Sequence, residues 1–394
     1  MTLAKPMTIG SIRGDFPMLQ HCIYFNCGGI APLSHSVGAE LLRVPQAVIA
    51  EGPARMLSRE DSFLGLERAR ATLARFVGAD PDEIAFTTQF STAVNIVVEG
   101  LAWQPGDEVI VTDQEHPALV IPLMNIVRRH DLKVSRIPVS HNADEMLESF
   151  KRVLTPRTKL VAVSHVTTDS GTRLPVEEMT RLAHAQGSYV LYDGAHSAGQ
   201  FELDLHALDC DFYAMVGYKW MFGPYPSAAL YIRRDRLDEI EVTWCGSNVT
   251  QTGSVTMGPE ELQWIPGARR FEYGGRTFSY DTALGAGVEY VERLGIDAVE
   301  AHSKHLTEYF HDALKSVPGA QIRSPLDLRD ATGIATIALD NMDGVRVSTA
   351  LRERWNMLQR AALRGSSVRI SLAAFVEESD VDRLVESLRT LANE

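Results

Sequence analysis

Between Glu83 and Arg234, short runs of β-branched and apolar residues alternate with longer amphipathic segments. This alternation is typical of repeated strand–helix units, whose crossovers bury a mostly parallel sheet on both faces. The pattern predicts helices over Arg59–Phe76, Ser91–Leu101, Pro117–His130, Asp144–Leu154 and Val176–Gln186. It predicts strands over Glu83–Thr88, Glu108–Asp113, Lys133–Val139, Lys159–Val166, Tyr189–Asp193, Phe212–Val216 and Ala228–Arg233.

After Gly275 the pattern changes to that of a smaller α+β unit. Long helical periodicities are followed by short apolar runs that alternate with further amphipathic segments. The stretch Trp244–Arg270, rich in Gly, Thr and Pro, reads as a long irregular excursion, and such loops in compact domains are often functional. The predicted elements here are helices Asp281–Leu294, Ala298–Ser316, Val345–Trp355 and one from Glu377, and extended segments Gln321–Arg323, Ile334–Leu339 and Ser367–Leu372.

Composition narrows the classes of function. A chain of 394 residues with 45% hydrophobic and 23% charged residues is an ordinary globular protein of about two domains. Its net charge of -13 argues against a nucleic-acid or membrane-surface partner, because both need a basic face. The four cysteines lack the paired spacing of a zinc site, so we expect reduced thiols and no bound metal. Because no signal peptide is visible, we expect a cytoplasmic location.

Reactive groups in open parallel sheets lie where strands end, and two predicted strands end in candidate residues. Asp193 closes an apolar run, where a desolvated carboxylate needs a cation or several donors. Lys219 follows Phe212–Val216 among aromatic residues and glycines, and desolvation there lowers an amine pKa towards that of an imine-forming nucleophile. Taken singly, Asp193 is better read as a helix N-cap and Lys219 as a solvated loop amine.

Two further strand ends supply complementary groups. The strand ending near Thr88 turns through hydroxyl residues into a helix, whose free amides and positive N-terminus suit a phosphate. His116 follows another strand and precedes Pro117, where an imidazole is able to lie flat on an aromatic ring or simply cap the helix. An imine-forming amine, a carboxylate, a phosphate site and a stacking ring are together what pyridoxal 5'-phosphate requires. A nicotinamide-binding domain is the alternative, but no GxGxxG follows the first strand.

Eight motifs in order resemble the class V aminotransferase family of fold-type I pyridoxal-phosphate enzymes, which includes cysteine desulfurases, cystine lyases and isopenicillin N epimerase. The resemblance covers nearly the whole chain and implies an α/β fold. We expect a large cofactor-binding domain over residues 31–275 with a mostly parallel seven-stranded sheet, and a smaller α+β domain over 276–394 that residues 1–30 join. The motifs are Tyr24–Gly29, Thr87–Thr92, Glu115–Pro117, Ser164–Gly171, Asp193–His196, Gly217–Trp220, Arg270–Gly274 and Val368–Ser371.

The resemblance also implies roles for individual residues. Lys219 corresponds to the Schiff-base lysine, Asp193 to the partner of the pyridinium nitrogen and His116 to the stacking ring. Arg369 corresponds to the arginine that binds a substrate α-carboxylate, with Asn26 as a further substrate contact, and a guanidinium fork suits a carboxylate. A strand-surface ion pair is the alternative for Arg369. The other implied cofactor contacts are His196 beside the phenolic oxygen, Ser91 with the backbone of Phe90 and Thr92 at the phosphate, and Thr168, Tyr218 and Gly275.

Departures from the family pattern bear on the phosphate site and on the reaction. Val216 stands where relatives often have a hydroxyl residue, and Tyr218 stands where they commonly have a His. Gly275 stands where relatives often have a Thr that a neighbouring subunit contributes to the site. Thr168 or Asp169 takes the place of an Asn that often contacts the cofactor ring in relatives. The segment Gln359–Gly365 contains no cysteine where desulfurases keep their persulfide-forming thiol. The resemblance therefore argues against desulfuration through such a thiol.

The leading hypothesis is β-elimination that cleaves the carbon–sulfur bond of a cysteine S-conjugate, with Lys219 and His196 as catalytic residues. The Asp-Gly-Ala-His sequence at Asp193–His196 keeps transamination, epimerisation or decarboxylating deamination in specialised metabolism as alternatives. A pyridoxal-fold module without catalysis is a third possibility, against which intact Lys219, Asp193 and Arg369 argue. The family further implies a homodimer and an amino-acid substrate.

Overall fold

Helices and strands alternate through most of the computed structural model, which describes residues 9–53, 60–251 and 262–394. The α-helices in these ranges are α1 (His35–Glu51), α2 (Glu60–Phe76), α3 (Phe90–Gly100), α4 (Pro117–His130), α5 (Ala143–Val153), α6 (Val176–Ala185), α7 (Leu205–Leu208), α8 (Phe278–Leu294), α9 (Ile296–Leu314), α10 (Gly344–Trp355) and α11 (Glu378–Ala392). The strands are β1 (Ile23–Tyr24), β2 (Ile84–Thr87), β3 (Glu108–Thr112), β4 (Lys133–Ile137), β5 (Thr158–Ser164), β6 (Tyr189–Asp193), β7 (Phe212–Val216), β8 (Ala228–Ile232), β9 (Ala320–Ile322), β10 (Ile334–Leu339), β11 (Met357–Leu358), β12 (Arg360–Ala362) and β13 (Ser367–Ser371).

A seven-stranded sheet in the order β2-β8-β7-β6-β5-β3-β4 forms the centre of the molecule. Strand β8 is antiparallel to both of its neighbours, and the other pairs are parallel. The seven strands predicted from the sequence are all present, and the expected mostly parallel sheet is confirmed. Because only β8 runs in reverse, the carboxyl ends of β2, β3, β5, β6 and β7 meet at one edge.

Apolar side chains cover both faces of this sheet. Strands β6, β7 and β8 are buried along almost their whole length, as the continuous apolar runs predict for a sheet sandwiched between helices. Helices α3 and α4 supply Val94 and Leu119 to one face, whereas α6 and α8 supply Val176 and Leu284 to the other. This double burial fixes the sheet rigidly and so fixes the edge at which the candidate residues lie.

The C-terminal part builds a second, antiparallel sheet in the order β12-β13-β10-β9. The N-terminal segment joins this C-terminal part, because β1 pairs in parallel with β11 in a separate two-stranded sheet and Arg13 forms an ion pair with Asp380 at 2.5 Å. Strand β13 passes close to the large sheet, since Arg369 on it donates to the backbone of Thr168. In the described ranges, no helix has the length and apolarity needed to cross a bilayer.

The sequence pattern missed α1 and the shortest strands. Helix α1 contains Pro45 in its interior, a residue that usually ends a helix, although Ser34 caps its N-terminus by accepting from the Val37 amide. Strands β1, β11 and β12 are two or three residues long, too short for a period of two to be visible. Arg59, predicted to begin α2, and residues 252–261 of the irregular excursion lie outside the described residues.

Candidate active site

The carboxyl edge of the large sheet brings the candidate residues together. Asp193 is the last residue of β6, and Lys219 follows β7 after a turn at Gly217. Gly217 donates to the Ser227 carbonyl and accepts from Gly223, so the lysine loop folds back over the sheet edge. Both Asp193 and Lys219 are buried. Their positions follow from the parallel order of β6 and β7.

Lys219 contacts His196 in a buried polar pair. The Lys219 Nζ lies 3.2 Å from the His196 Nε2, and the indole N–H of Trp220 donates to the His196 Nδ1 at 3.3 Å. An indole nitrogen only donates, so a neutral His196 carries its hydrogen on Nε2. That hydrogen points at the lysine nitrogen, which must accept and is therefore an unprotonated amine. The arrangement holds Lys219 in its nucleophilic form.

Burial sets the ionisation of this group of residues. It lowers the pKa of Lys219 to about 7, against the opposing charge of Asp193. Burial also raises the pKa of Asp193 to about 6, while Lys219 and the Ala195 amide lower it. Burial followed by the charge of Lys219 holds the pKa of His196 well below its usual value. The site thus favours the neutral amine of Lys219, and the Asp193 carboxyl is able to gain or lose its proton close to neutral pH.

His116 is both a helix cap and a site residue. Its Nδ1 accepts from the Ala118 amide at 3.1 Å as the N-cap of α4, so the capping alternative from the sequence is correct. Burial, then the charges of Lys219 and Arg360, lower the pKa of His116 to about 4. The His116 ring is therefore neutral near neutral pH, and the helix cap engages its Nδ1.

Glu115 joins the ends of two strands and was given no role from the sequence. Its carboxylate accepts from the Thr112 hydroxyl at 2.6 Å, from the Ser164 hydroxyl at 2.6 Å and from the Ser164 amide at 3.0 Å. Burial raises the pKa of Glu115 to about 7 and these donors oppose the rise. These contacts fix Glu115 and so the start of the segment that carries His116. In the sequence, Glu115 is visible only as part of the motif Glu115–Pro117.

The turn into α3 lies beside a cavity of about 560 Å³. Helix α3 begins at Phe90; the Thr92 amide donates to the Gln89 carbonyl at 3.1 Å, whereas the amides of Phe90 and Ser91 precede the first residue that can bond within the helix. The Ser91 hydroxyl donates to the Ala118 carbonyl at 3.1 Å, so its single proton is committed to linking α3 with α4. The hydroxyl residues Thr88 and Thr92 line the cavity together with Gly275. The groups here that could contact an anion are the backbone amides and these threonines rather than the Ser91 proton.

Arg369 is a buried guanidinium that is only partly satisfied. It is 1% exposed, and its Nη1 donates to the Thr168 carbonyl at 2.9 Å. Its Nε and Nη2 are buried and have no hydrogen-bond partner in the described part of the chain. Burial, followed by the charge of Arg360, lowers the pKa of Arg369 to about 9. The strand-surface ion pair considered for Arg369 is wrong, because the side chain is buried and forms no ion pair among the described residues.

The Asn26–Gly29 segment lies against Arg369. A Cβ at Gly28 would lie 3.2 Å from the Arg369 Nη2, and a Cβ at Gly29 would lie 2.6 Å from the Asn26 Oδ1. The Asn26 Oδ1 is also buried without a hydrogen-bond partner in the described ranges. Two glycines thus bring an unpaired acceptor and unpaired donors into one region, which is the arrangement expected around a polar ligand.

Tyr218 and Thr168 border the site in different ways. Tyr218 is half-buried, its ring lies edge-on to Tyr225 with centroids 4.8 Å apart, and its carbonyl accepts from Ala31. Thr168 is buried and holds Arg369 through its backbone carbonyl. Asp169 accepts the Thr336 hydroxyl proton through its own carbonyl. The loop after β5 therefore serves first to anchor β10 and β13 against the large sheet.

These groups fit pyridoxal phosphate. The cofactor needs an amine that is deprotonated near neutral pH, an acidic side chain for its ring nitrogen, an aromatic neighbour and a phosphate site at a helix N-terminus. Lys219, Asp193, His116 and the first turn of α3 supply these groups at one sheet edge. A fold-type I α/β sheet with such an edge defines a class of cofactor-dependent enzymes.

Comparison with known proteins gives the family. The family model described as aminotransferase class-V matches residues 55–384, so the chain belongs to that family. It is 30% identical to the isopenicillin N epimerase of Streptomyces clavuligerus over 97% of this chain and 98% of the relative. It is 28% identical to the cysteine desulfurase of Dickeya dadantii over 97% of this chain and 96% of the relative.

Solved structures agree with the family assignment. The cystine C-S lyase C-DES, in complex with its reaction product cysteine persulfide, superposes with a TM-score of 0.87 at 26% identity, covering 95% of this chain and 99% of the other. A lysine-to-alanine mutant of C-DES with glycine covalently linked to its cofactor superposes with a TM-score of 0.88 at 26% identity, covering 96% of this chain and 98% of that one. The chain is a pyridoxal-phosphate-dependent enzyme of this family.

Proposed function

We propose that the protein cleaves the carbon–sulfur bond of a cysteine S-conjugate by β-elimination. The observation that carries this proposal is the pair of unpartnered guanidinium nitrogens on buried Arg369, in the same site as the Lys219 amine. A substrate α-carboxylate would satisfy both nitrogens through a bidentate contact and would present its Cα to the amine. Asn26, with its unpaired Oδ1, would accept from the substrate amino group.

The proposed cofactor contacts are residues at the same sheet edge. Lys219 would hold the cofactor covalently, Asp193 would pair with its ring nitrogen and His116 would cover the ring. His196, in contact with Lys219 Nζ, would serve the phenolic oxygen, and Thr168 and Tyr218 would border the ring. Phe90, Ser91 and Thr92, at the first turn of α3, would hold the phosphate, and Gly275 lines the same cavity as Thr92.

The reaction needs a base at Cα and a leaving group at Cβ. When bound, pyridoxal phosphate supplies an electron sink for the pair left at Cα. Lys219, once the substrate amino group has replaced it on the cofactor, accepts the Cα proton, for which its pKa of about 7 suits work near neutral pH. The electron pair at Cα then forms a double bond to Cβ while the C–S bond breaks, and the sulfur leaves with the electrons of that bond and takes up a proton. Water releases the remaining carbon skeleton as pyruvate and ammonia. No cysteine lies in Gln359–Gly365 to receive the sulfur, so the thiol is released.

Incubating the purified holoenzyme with a panel of cysteine S-conjugates tests the proposal. We expect equimolar pyruvate, ammonia and free thiol from at least one conjugate, and none from Lys219→Ala, which lacks the base. The proposal fails if the wild-type enzyme, with the cofactor absorbance intact, releases none of these products from any conjugate.

Transamination or epimerisation is the second candidate. It is favoured by the 30% identity to isopenicillin N epimerase over nearly the whole chain and by His196 in the Asp193–His196 motif. An epimerase would exchange the Cα hydrogen with D₂O and return the opposite enantiomer without product release. A transaminase would instead accumulate the amine form of the cofactor, so absorbance spectra and chiral chromatography distinguish these outcomes from elimination.

A further inference from the structure

The carboxylate of Glu115 bridges two strand ends at a point where their backbone pairing has stopped. The ladder between β3 and β5 ends at Ile110 and Val161. Beyond it, Thr112 is the last residue of β3 and Ser164 the last of β5. Each of their hydroxyls donates to a different oxygen of the Glu115 carboxylate, at 2.6 Å. This side chain therefore fixes the spacing of two strand ends that the ladder leaves open.

Towards β6, the bridge continues to Asp193. Ser164 is the register partner of Asp193 in the β5–β6 pairing, and the next amide, that of His165, donates to the Asp193 carbonyl at 3.0 Å. The Ser164 amide also donates to both oxygens of Glu115, at 3.1 and 3.0 Å. A shift of the Ser164 backbone would therefore be passed on to Asp193.

Towards α4, the same carboxylate holds the segment that carries His116. Glu115 directly precedes His116, and the His116 ring is held from the helix side because its Nδ1 accepts from the Ala118 amide. The Glu115 side chain holds this segment from the strand side. One carboxylate thus relates the place of the imidazole at the end of β3 to that of the carboxyl at the end of β6.

The surroundings of Glu115 supply hydrogen-bond donors rather than a counterion. Two hydroxyls and one amide converge on its two oxygens. In the part of the chain that the structure describes, Glu115 forms no ion pair within 4.0 Å. Converging donors fix both the position and the direction of a carboxylate. The arrangement is therefore that of a geometric link between strands and not of a buried ion pair.

We propose that Glu115 is a positioning residue for the cofactor, whose carboxylate sets the spacing between His116, which covers the ring, and Asp193, which pairs with the ring nitrogen. This inference rests on the proposed function for the contacts of His116 and Asp193, and it does not depend on which bond of the substrate breaks. Ring contacts need both groups in place, because a displacement of about 1 Å is enough to weaken such contacts strongly.

A cofactor analogue that cannot form the covalent link isolates the ring contacts. In 4'-deoxypyridoxine 5'-phosphate a methyl group replaces the aldehyde, so binding does not require the Lys219 imine. Calorimetric titration of the cofactor-free protein gives its dissociation constant, and circular dichroism of the cofactor band in the holoenzyme reports how the ring is held. Glu115→Asp keeps the charge but withdraws it by one methylene group. We expect it to weaken analogue binding about 10- to 100-fold and to reduce the circular dichroism band.

Glu115→Gln makes the opposite change, because it keeps the length and removes the charge. Its Oε1 can accept from the Ser164 amide while its amide group donates to a hydroxyl, so analogue affinity should stay within about threefold of the wild type. Asp113→Ala is the matched control. Asp113 is exposed in the same turn and accepts from the Val139 amide at 3.0 Å, on the side of β4 and away from Asp193. Its loss should leave analogue binding unchanged.

Urea unfolding of each cofactor-free variant separates loss of the fold from loss of the ring contacts. The inference is overturned if Glu115→Asp binds the analogue as the wild type does, if Glu115→Gln loses as much affinity as Glu115→Asp, or if Asp113→Ala loses as much as either. Product release from cysteine S-conjugates is measured separately on the wild type. Its absence would remove the proposed elimination and leave the role of Glu115 standing, whereas product release with unaltered analogue binding in Glu115→Asp would do the reverse.

Discussion

Lys219 shows how burial changes the chemistry of a side chain. A lysine in water has a pKa of about 10.4 and is almost fully protonated at neutral pH. Here burial lowers its pKa to about 7, although Asp193 stabilises the charged form. The contact with the His196 Nε2, whose tautomer Trp220 fixes, selects the same neutral amine. Two independent features, desolvation and hydrogen bonding, thus favour the nucleophilic form.

This shift predicts the pH dependence of cofactor attachment. Below pH 7 the Lys219 amine is protonated, so the rate at which cofactor-free protein forms its covalent link to added pyridoxal phosphate should rise about tenfold per pH unit up to pH 7. Above that it should level off, because the neutral fraction is already near one. Stopped-flow absorbance measures the rate, and Lys219→Ala is the blank. A rate that still climbs tenfold per unit between pH 8 and 10 would mean that the lysine keeps its ordinary pKa.

At the scale of elements, an ion pair fastens α2 to the sheet. Arg70 on α2 is buried and donates to both oxygens of Glu272, and to the Ile84 carbonyl on β2. The Glu272 carboxylate also accepts from the Phe86 amide at 2.6 Å. One carboxylate therefore joins a helix, an edge strand and the segment that leads to Gly275. Glu272 belongs to the motif Arg270–Gly274, whose resemblance to the family gave no hint of this structural role.

Glu272→Gln should lower the free energy of unfolding by about 3–5 kcal/mol, because it leaves the buried Arg70 with only the half-exposed Glu67 as a counterion and also removes the carboxylate that pairs with Arg276. Glu67→Gln is the matched control: Glu67 also contacts Arg70, but its side chain is 43% exposed, and its loss should cost less than about 1 kcal/mol. Urea unfolding followed by circular dichroism compares the two. Equal losses of unfolding free energy in the two variants would show that the buried contact stabilises the fold no more than the exposed one.

The sequence predicts those elements and residues whose place in the fold follows from a local pattern of residues. Apolar runs predict the seven strands, and because parallel strands share a carboxyl edge, Asp193, Lys219 and His116 are predicted to lie close together. Glu115 and Arg360 were not assigned roles. Glu115 acts through Ser164, which is 49 residues away. Arg360 lies opposite Arg369 only because of the register of β12 against β13, and strands this short show no hydrophobic period in the sequence.

At the scale of the whole molecule, exposed aromatic residues surround the cavity that Thr92 and Gly275 line. Tyr273 lines this cavity and is 36% exposed, and Trp244, 60% exposed, packs against it with ring centroids 6.2 Å apart. Tyr225, 58% exposed, adjoins the lining residue Pro226. Clustered exposed aromatics with a cavity between them are typical of protein interfaces. We propose that a second copy of the chain covers this surface.

A homodimer predicts a mass of about 87 kDa in solution, twice the 43.5 kDa of the chain. Trp244→Asp places a charge where a large aromatic anchor would be buried, so sedimentation equilibrium at low micromolar concentration should show a shift towards the single chain. Leu326→Asp alters another exposed apolar residue, 70% exposed in the C-terminal part, and should remain dimeric. Because the cavity adjoins the first turn of α3, the monomeric variant should also lose cofactor on dilution while the control retains it. A wild-type monomer that keeps both cofactor and activity would show that the site is complete within one chain.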